Sequence, residues 1–415
     1  MTKLKKALAV MAAGVMMVTA SGCSDTRYAM TYNNGQKVNA GVYLYNLYSL
    51  MSYQQMIASY TTGTSEIDLD SDYEGQKLRD YMVEEARKSS KEFAAVNYEA
   101  DKLGITLTDD EMQSVNDNLT SMWEGNGDLY EYEGISKDSV KQLIIASNLR
   151  SKLFDHFYAA GGEEEVADDD LKKYVEDNYF RYKTLKIAKS TNVDETQKAE
   201  EDKENEALRD EYLKKAEGLS YEEFDALIKE YDDYQTAKYQ QDSSTSQDED
   251  TTVTAEGPMP ADETEKAVDA PVDDTDDTDT TAEDAAETAE PEEETDPHAN
   301  DLMLNYGEMK DEDKETDQGK LAEFLKGMDD NTLSTYEDDN CYYIVMKGDV
   351  TGYSAEYAAN NHDNLLQTMK GDEFQAKIDS WIEEIGIVEN ASAIKKYTAQ
   401  AVYDKQVEYQ KKNAG

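Results

Sequence analysis

Between Asp242 and Asn300 the chain carries 22 acidic residues against a single basic one, Lys266; it has no aromatic residue there, and all five of its prolines. Such a stretch has too little apolar surface to offset the entropy lost on ordering. The sequence therefore predicts a disordered acidic insert over 242–300. Any folded structure must be built from the segments on either side, and those segments differ sharply in character: aromatic and aliphatic residues recur there at regular spacing.

The formal net charge of -51 excludes nucleic acid as a partner, because phosphate backbones would be repelled rather than neutralised. Most of this charge is read as a solvated surface. The two cysteines are Cys23 and Cys341, and the histidines His156, His298 and His362 are scattered with no companions at ligand spacing. Neither a disulfide framework nor a zinc site is expected. No Gly-Lys-Ser phosphate loop occurs, so no nucleotide and no other cofactor are predicted.

At the N-terminus, Lys3, Lys5 and Lys6 precede an uncharged, mostly apolar run from Ala7 to Ala20, followed by Ser21-Gly22-Cys23. A basic start with a short apolar run reads as a signal peptide over 1–22 rather than a spanning helix. Small residues ahead of Cys23 resemble the bacterial lipobox, which implies lipidation at Cys23, a short tether over 23–27, and attachment to the outer face of a cell membrane.

Helical periodicity dominates the rest. After a strand-like piece at Tyr28 to Tyr32 and Val38, Leu44, Leu47, Tyr48 and Met51 recur at helical spacing. A helix is expected from Tyr73 to Leu103, stopped by Gly104. Thr108 with Glu111 forms a capping-box pattern opening a helix to Trp123, and Ser136 opens another that ends at Gly161-Gly162. Arg181 to Ile187 reads as a half-buried strand. A charged helix is expected over Glu195 to Glu217, and Ser220 with Glu223 caps the next. Beyond the insert come a short helix with Leu321, Phe324 and Leu325, a turn at Gly327 to Asn331, and a strand pair through Leu333 to Tyr336 and Cys341 to Met346. Closing helices run from Leu365 to Ile385 and through Ile394, Tyr397 and Val402.

This order resembles the extracytoplasmic foldase lipoproteins of the PrsA type, relatives of the SurA and trigger-factor chaperones. The specific stretches are Asp170 to Tyr179, similar to the family's entry into its parvulin domain, Ser220 to Tyr231, similar to a parvulin helix, and Leu325 to Lys347, similar to the parvulin ending. The resemblance implies an α+β, mostly helical fold: a SurA-like helical chaperone domain with a small inserted parvulin-like domain. Its parts would be a helical N-domain over 28–178, a degenerate parvulin-like domain over 179–350 interrupted by the insert, and C-terminal helices over 351–415 packing on the N-domain.

A working parvulin carries two histidines in its first and last strands. By register Thr184 and Tyr343 stand in their places, and the family's glycine-rich segment is reduced to Asn305-Tyr306-Gly307. The resemblance therefore implies a membrane-anchored chaperone or foldase for exported, incompletely folded proteins, with peptidyl-prolyl isomerase activity weak or lost. One rival is an active isomerase in which Thr184, Tyr343, Phe324, Met328 and Leu333 line a modified groove. Another is a non-catalytic envelope scaffold. Cys341, amid acidic residues, is read as a structural cysteine. The tyrosines on the early helices, Tyr43, Tyr45, Tyr48, Tyr53 and Tyr60, and the methionines Met51, Met56, Met82, Met112 and Met122 suit either a core or an adaptable client surface.

Overall fold

The computed structural model describes residues 28–245 and 296–413. The expected signal peptide, Cys23 with its tether, and most of the acidic stretch lie outside the described residues. The described chain is mostly helical with small antiparallel sheets, the α+β class expected from the sequence. The described residues divide into two compact units: one holds 28–171 and 359–413, the other 172–245 and 296–358.

In the first unit, β1 (Tyr28–Tyr32) pairs antiparallel with β2 (Gln36–Asn39). The turn between them puts Asn33, Asn34 and Gly35 at positive φ, a conformation those residue types accept most readily. Helix α1 (Ala40–Thr62) follows, burying Leu44, Leu47 and Met51. The helix expected from Tyr73 begins later, as α2 (Leu78–Leu103). A two-residue hairpin, β3 (Asp72–Tyr73) and β4 (Gln76–Lys77), takes the preceding residues. Its turn holds Glu74 and Gly75 at positive φ, with the Gly75 N–H donating to Asp72 Oδ1 at 3.2 Å.

The capping box opening α3 (Asp109–Glu133) forms: Glu111 N–H donates to Thr108 Oγ1 at 3.2 Å and Thr108 N–H to Glu111 Oε2 at 2.6 Å. This helix continues ten residues past Trp123, through Gly125 and Gly127. Two glycines would ordinarily weaken a helix. Here the Trp123 indole lies over Gly127, so close that a Cβ at 127 would meet Nε1 at 2.7 Å. Packing thus overrides propensity. Helix α4 (Lys137–Tyr158) is capped by Ser136, which accepts from Ser139 N–H.

Helix α5 (Asp168–Asn178) leads to β5 (Tyr179–Ala188), α6 (Glu195–Ala216) and α7 (Phe224–Thr245). The described chain resumes at Asp296, turns through His298, and forms β6 (Leu302–Asn305), α8 (Asp317–Lys326), β7 (Thr332–Glu337), β8 (Cys341–Gly348) and α9 (Ser354–Asn360). Both ends of the stretch expected to be disordered over 242–300 are therefore structured, as the last residues of α7 and as the turn at 296–300.

The four strands form an antiparallel sheet in the order β6-β5-β8-β7. One face packs Leu185, Ile187, Ile344 and Met346 against Tyr212 of α6 and Phe224 and Leu227 of α7. The other packs Tyr182 and Val345 against Ala322 and Leu325 of α8. Strand β5 is thus covered on both faces over most of its length, not half-buried. Ser354 Oγ donates to Glu176 Oε1 at 2.8 Å and the Tyr179 and Tyr357 rings meet at 5.6 Å. These contacts tie 172–178 and 351–358 to the sheet, so the compact unit reaches several residues beyond 179–350 at each end.

Within the first unit the chain closes through α10 (His362–Glu384), β9 (Val388–Glu389), α11 (Ala391–Lys396) and α12 (Ala399–Asn413). Phe154 of α4 meets Phe374 of α10 edge-on at 5.3 Å, and Asn390 Nδ2 donates to the Tyr28 carbonyl at 2.8 Å. The last helix expected from the sequence is split in two. Thr398 restarts it, its Oγ1 accepting from Ala401 N–H at 3.2 Å in the manner of an N-cap.

Candidate functional site

Side chains alternate across a strand, so antiparallel register decides which residues of the sheet unit can act together. Thr184 stands opposite Val345, and Tyr343 opposite Lys186. Thr184 and Tyr343 are consequently diagonal neighbours on the α8 face. Phe324 and Met328 pack on that same face. Leu333 does not: it stands opposite Met346 and packs with the cluster beneath α6 and α7. The sequence-derived set of five is thus reduced to four by strand parity alone.

The α8 face is aromatic. Phe324 meets Tyr336 at 5.1 Å, Tyr336 meets Tyr343 at 5.8 Å, and Phe180 stacks on Tyr306 at 4.1 Å. All are half-buried. Tyr306 belongs to the shortened Asn305-Tyr306-Gly307 segment, which is fastened by its hydroxyl donating to the Asp177 carbonyl at 2.7 Å. Lys347 holds the turn after α8, donating to the Met328 carbonyl at 2.8 Å and pairing with Asp330 at 3.1 Å.

Tyr343 is anchored by a polar group. Its hydroxyl donates to Asp338 Oδ2 at 2.8 Å, while Asp338 Oδ1 accepts from the N–H groups of Asn340 at 2.8 Å and Cys341 at 2.7 Å. Burial alone would push the Asp338 carboxyl up, but these three hydrogen bonds and the nearby Lys186 outweigh it and hold the group below the usual range. Burial, followed by the bond to Asp338, pushes the Tyr343 phenol up, so it remains a donor. Cys341 is buried with a free thiol, as a structural cysteine would be.

The opposite face holds a cluster that strand periodicity did not reveal. Arg181 and Lys183 share the face of Leu185 and Ile187, and both are buried. The Arg181 guanidinium pairs with Asp301 at 2.6 Å, and Lys183 Nζ pairs with Asp225 at 2.6 Å and Asp301 at 3.5 Å. His298 Nδ1 lies 2.7 Å from Asp301 Oδ2, and its ring stacks on Tyr353 at 3.9 Å. Tyr221 lies under both cations, 4.5 Å from the guanidinium and 4.3 Å from Lys183 Nζ. Buried charges persist only when paired. The adjacency of Arg181 and Lys183 at i, i+2 was the available sign, but Asp301 lies 120 residues downstream of Arg181 and local pattern cannot reach it.

In the first unit, Tyr43, Met51 and Met82 are buried, and Tyr45, Tyr48, Met112 and Met122 half-buried. Tyr53, Met56 and Tyr60 are exposed at 54%, 47% and 86%. Their spacing of three and four residues places them on one side of α1. Among the described residues no group of three or more His, Cys, Asp or Glu could hold a metal ion, and no helix is long and apolar enough to cross a membrane.

No protein-family model matches the chain. Over 234 residues, 55% of its length, the chain is 24% identical to foldase protein PrsA of Caldanaerobacter subterraneus subsp. tengcongensis. The match spans 65% of that relative, a little under two thirds of its length.

Proposed function

We propose that this protein is an extracytoplasmic foldase, lipid-anchored through Cys23, that holds exported and incompletely folded proteins, with little or no prolyl isomerase activity of its own. The similarity to a foldase over 234 residues carries this reading. Two surfaces would serve it. Tyr53, Met56 and Tyr60 present apolar area with polar tips and adaptable thioether contact to unfolded segments. The aromatic α8 face, with Phe324, Met328, Tyr336 and Tyr343, offers a second.

Prolyl isomerisation requires no nucleophile. It requires a shaped, relatively dry site that holds the amide twisted against a barrier of about 18–20 kcal/mol. Thr184 and Tyr343 in place of histidines remove the expected imidazole pair without removing the apolar face. The Tyr343 to Asp338 hydrogen bond favours a second reading, an isomerase with an altered site, because it keeps one groove side chain fixed.

The purified chain without its lipid would be assayed for isomerisation of a proline peptide and, in parallel, for suppression of client aggregation. Suppression without isomerisation is the expected result. Isomerisation abolished by Phe324→Ala and lowered by Tyr343→Phe would install the second reading, and failure in both assays would leave a binding or scaffold lipoprotein.

A further inference from the structure

Glu133, the last residue of α3, is 1% exposed. It lines a cavity of about 130 Å³ together with Leu44 of α1, Tyr397 between α11 and α12, and Val402 and Lys405 of α12. Neither carboxyl oxygen has a hydrogen-bond partner among the described residues. A buried carboxyl in this state is costly to ionise. Burial pushes it up to about 7, with Lys405 pulling the other way.

The charged and titratable groups around it are few. Lys405 of α12 is engaged elsewhere: its Nζ donates to the backbone carbonyls of Tyr132 at 3.3 Å and of Glu133 itself at 2.9 Å. Those carbonyls end α3, where a cation is favourable. Lys396 of α11 lies over the Tyr397 ring at 5.0 Å, and Tyr48 of α1 feels the carboxylate as a repulsion. The Tyr397 hydroxyl is buried without a hydrogen-bond partner among the described residues, and its carbonyl accepts from Tyr43 at 3.2 Å. The cavity therefore sits at the seam where the broken C-terminal helix closes on α1 and α3.

We propose that Glu133 is a proton-operated latch on this seam: neutral, it lies in the cavity with α12 closed on α3, and ionised, it draws water into the cavity and loosens α12. The distance from the ordinary carboxyl range to about 7 corresponds to a preference of roughly a hundredfold or more for the neutral form in the closed state. The sign follows from linkage. Below about pH 4 the group is protonated in both folded and unfolded chains. As pH rises from there toward 7 the unfolded chain releases the proton and the folded chain keeps it, so stability falls across that window. Above about 7 both are ionised and the loss is complete.

The test uses the whole chain without its lipid. Hydrogen exchange in α12, corrected for intrinsic rates, is compared at pH 5 and pH 8 in wild type and Glu133→Gln. Wild-type protection of α12 is expected to fall at least tenfold at pH 8 relative to pH 5, while the Gln variant keeps its pH 5 protection and melts several degrees higher than wild type at pH 8. Equal wild-type protection at both pH values, with no gain in the variant, would overturn the proposal. A direct check needs no folded variant to behave: the carboxyl-stretch titration of Glu133 in wild type, assigned by a label at glutamate. A component with a midpoint near 7 supports the latch, and titration of every glutamate in the ordinary range removes it.

Discussion

The Tyr343 hydroxyl donates to Asp338 Oδ2 at 2.8 Å across the turn that joins β7 to β8, fixing the one aromatic side chain that stands where the resemblance would place a histidine. Tyr343→Phe removes a hydrogen bond to a charged acceptor and should cost about 1.5–3 kcal/mol, read as a lower urea midpoint with unchanged m-value. The same carboxyl sets an acid limb. Because its hydrogen bonds hold Asp338 below the usual range, its contribution is intact above about pH 4 and is lost as pH falls through the folded value. Asp338→Asn should flatten that limb; a limb unchanged by the substitution would place the acid sensitivity elsewhere.

The cluster on the other face makes a harsher prediction. Asp301 answers both Arg181 and Lys183, and its side chain is fully buried. Asp301→Asn leaves Lys183 with Asp225 alone and takes from Arg181 the carboxylate it pairs with, and should cost about 3–5 kcal/mol in thermal or chemical unfolding. A loss under about 1 kcal/mol would mean that His298 and Asp225 reorganise around the cations.

Gly319 lies in the first turn of α8, where a Cβ would stand 2.1 Å from the Asp313 carbonyl oxygen and 2.6 Å from Lys314 Cα. Both are backbone atoms of the short 3-10 turn before α8, so neither can swing aside as a side chain would. Gly319→Ala should therefore cost about 1–3 kcal/mol despite alanine's better helix propensity. Greater tyrosine exposure to solvent in the native state should accompany it, because α8 covers the aromatic face.

Exposed residues behave differently. Replacing Tyr53, Met56 and Tyr60 together by serine should leave the melting temperature nearly unchanged, since surface substitutions typically stay within about 0.5 kcal/mol each. Suppression of client aggregation should fall severalfold. An unchanged suppression curve would remove α1 as a client surface.

Most helices were legible because their signals are local. Thr108 with Glu111 and Ser220 with Glu223 both close the capping boxes that their spacing announces. Gly104 ends its helix in the left-handed conformation that glycine accepts. The differences lie where a specific contact or turn overrode a simpler local rule. Trp123 covers Gly127 and carries α3 through two glycines, and the hairpin at Glu74-Gly75 delays α2. Strand β6 went unread because four residues give too short a period to recognise.

The sequence by itself determined the helical majority and the sheet-bearing middle with its paired last strands, since each depends on spacing within a few residues. Only the tertiary structure decided that Thr184 and Tyr343 share a face with Phe324 and Met328 while Leu333 faces the other way, that Arg181 and Lys183 are buried charges answered by Asp225 and Asp301, and that the Glu133 carboxyl has no hydrogen-bond partner among the described residues. Strand parity and charge pairing are set by register and by residues far apart in the chain, and neither leaves a periodic trace in the sequence.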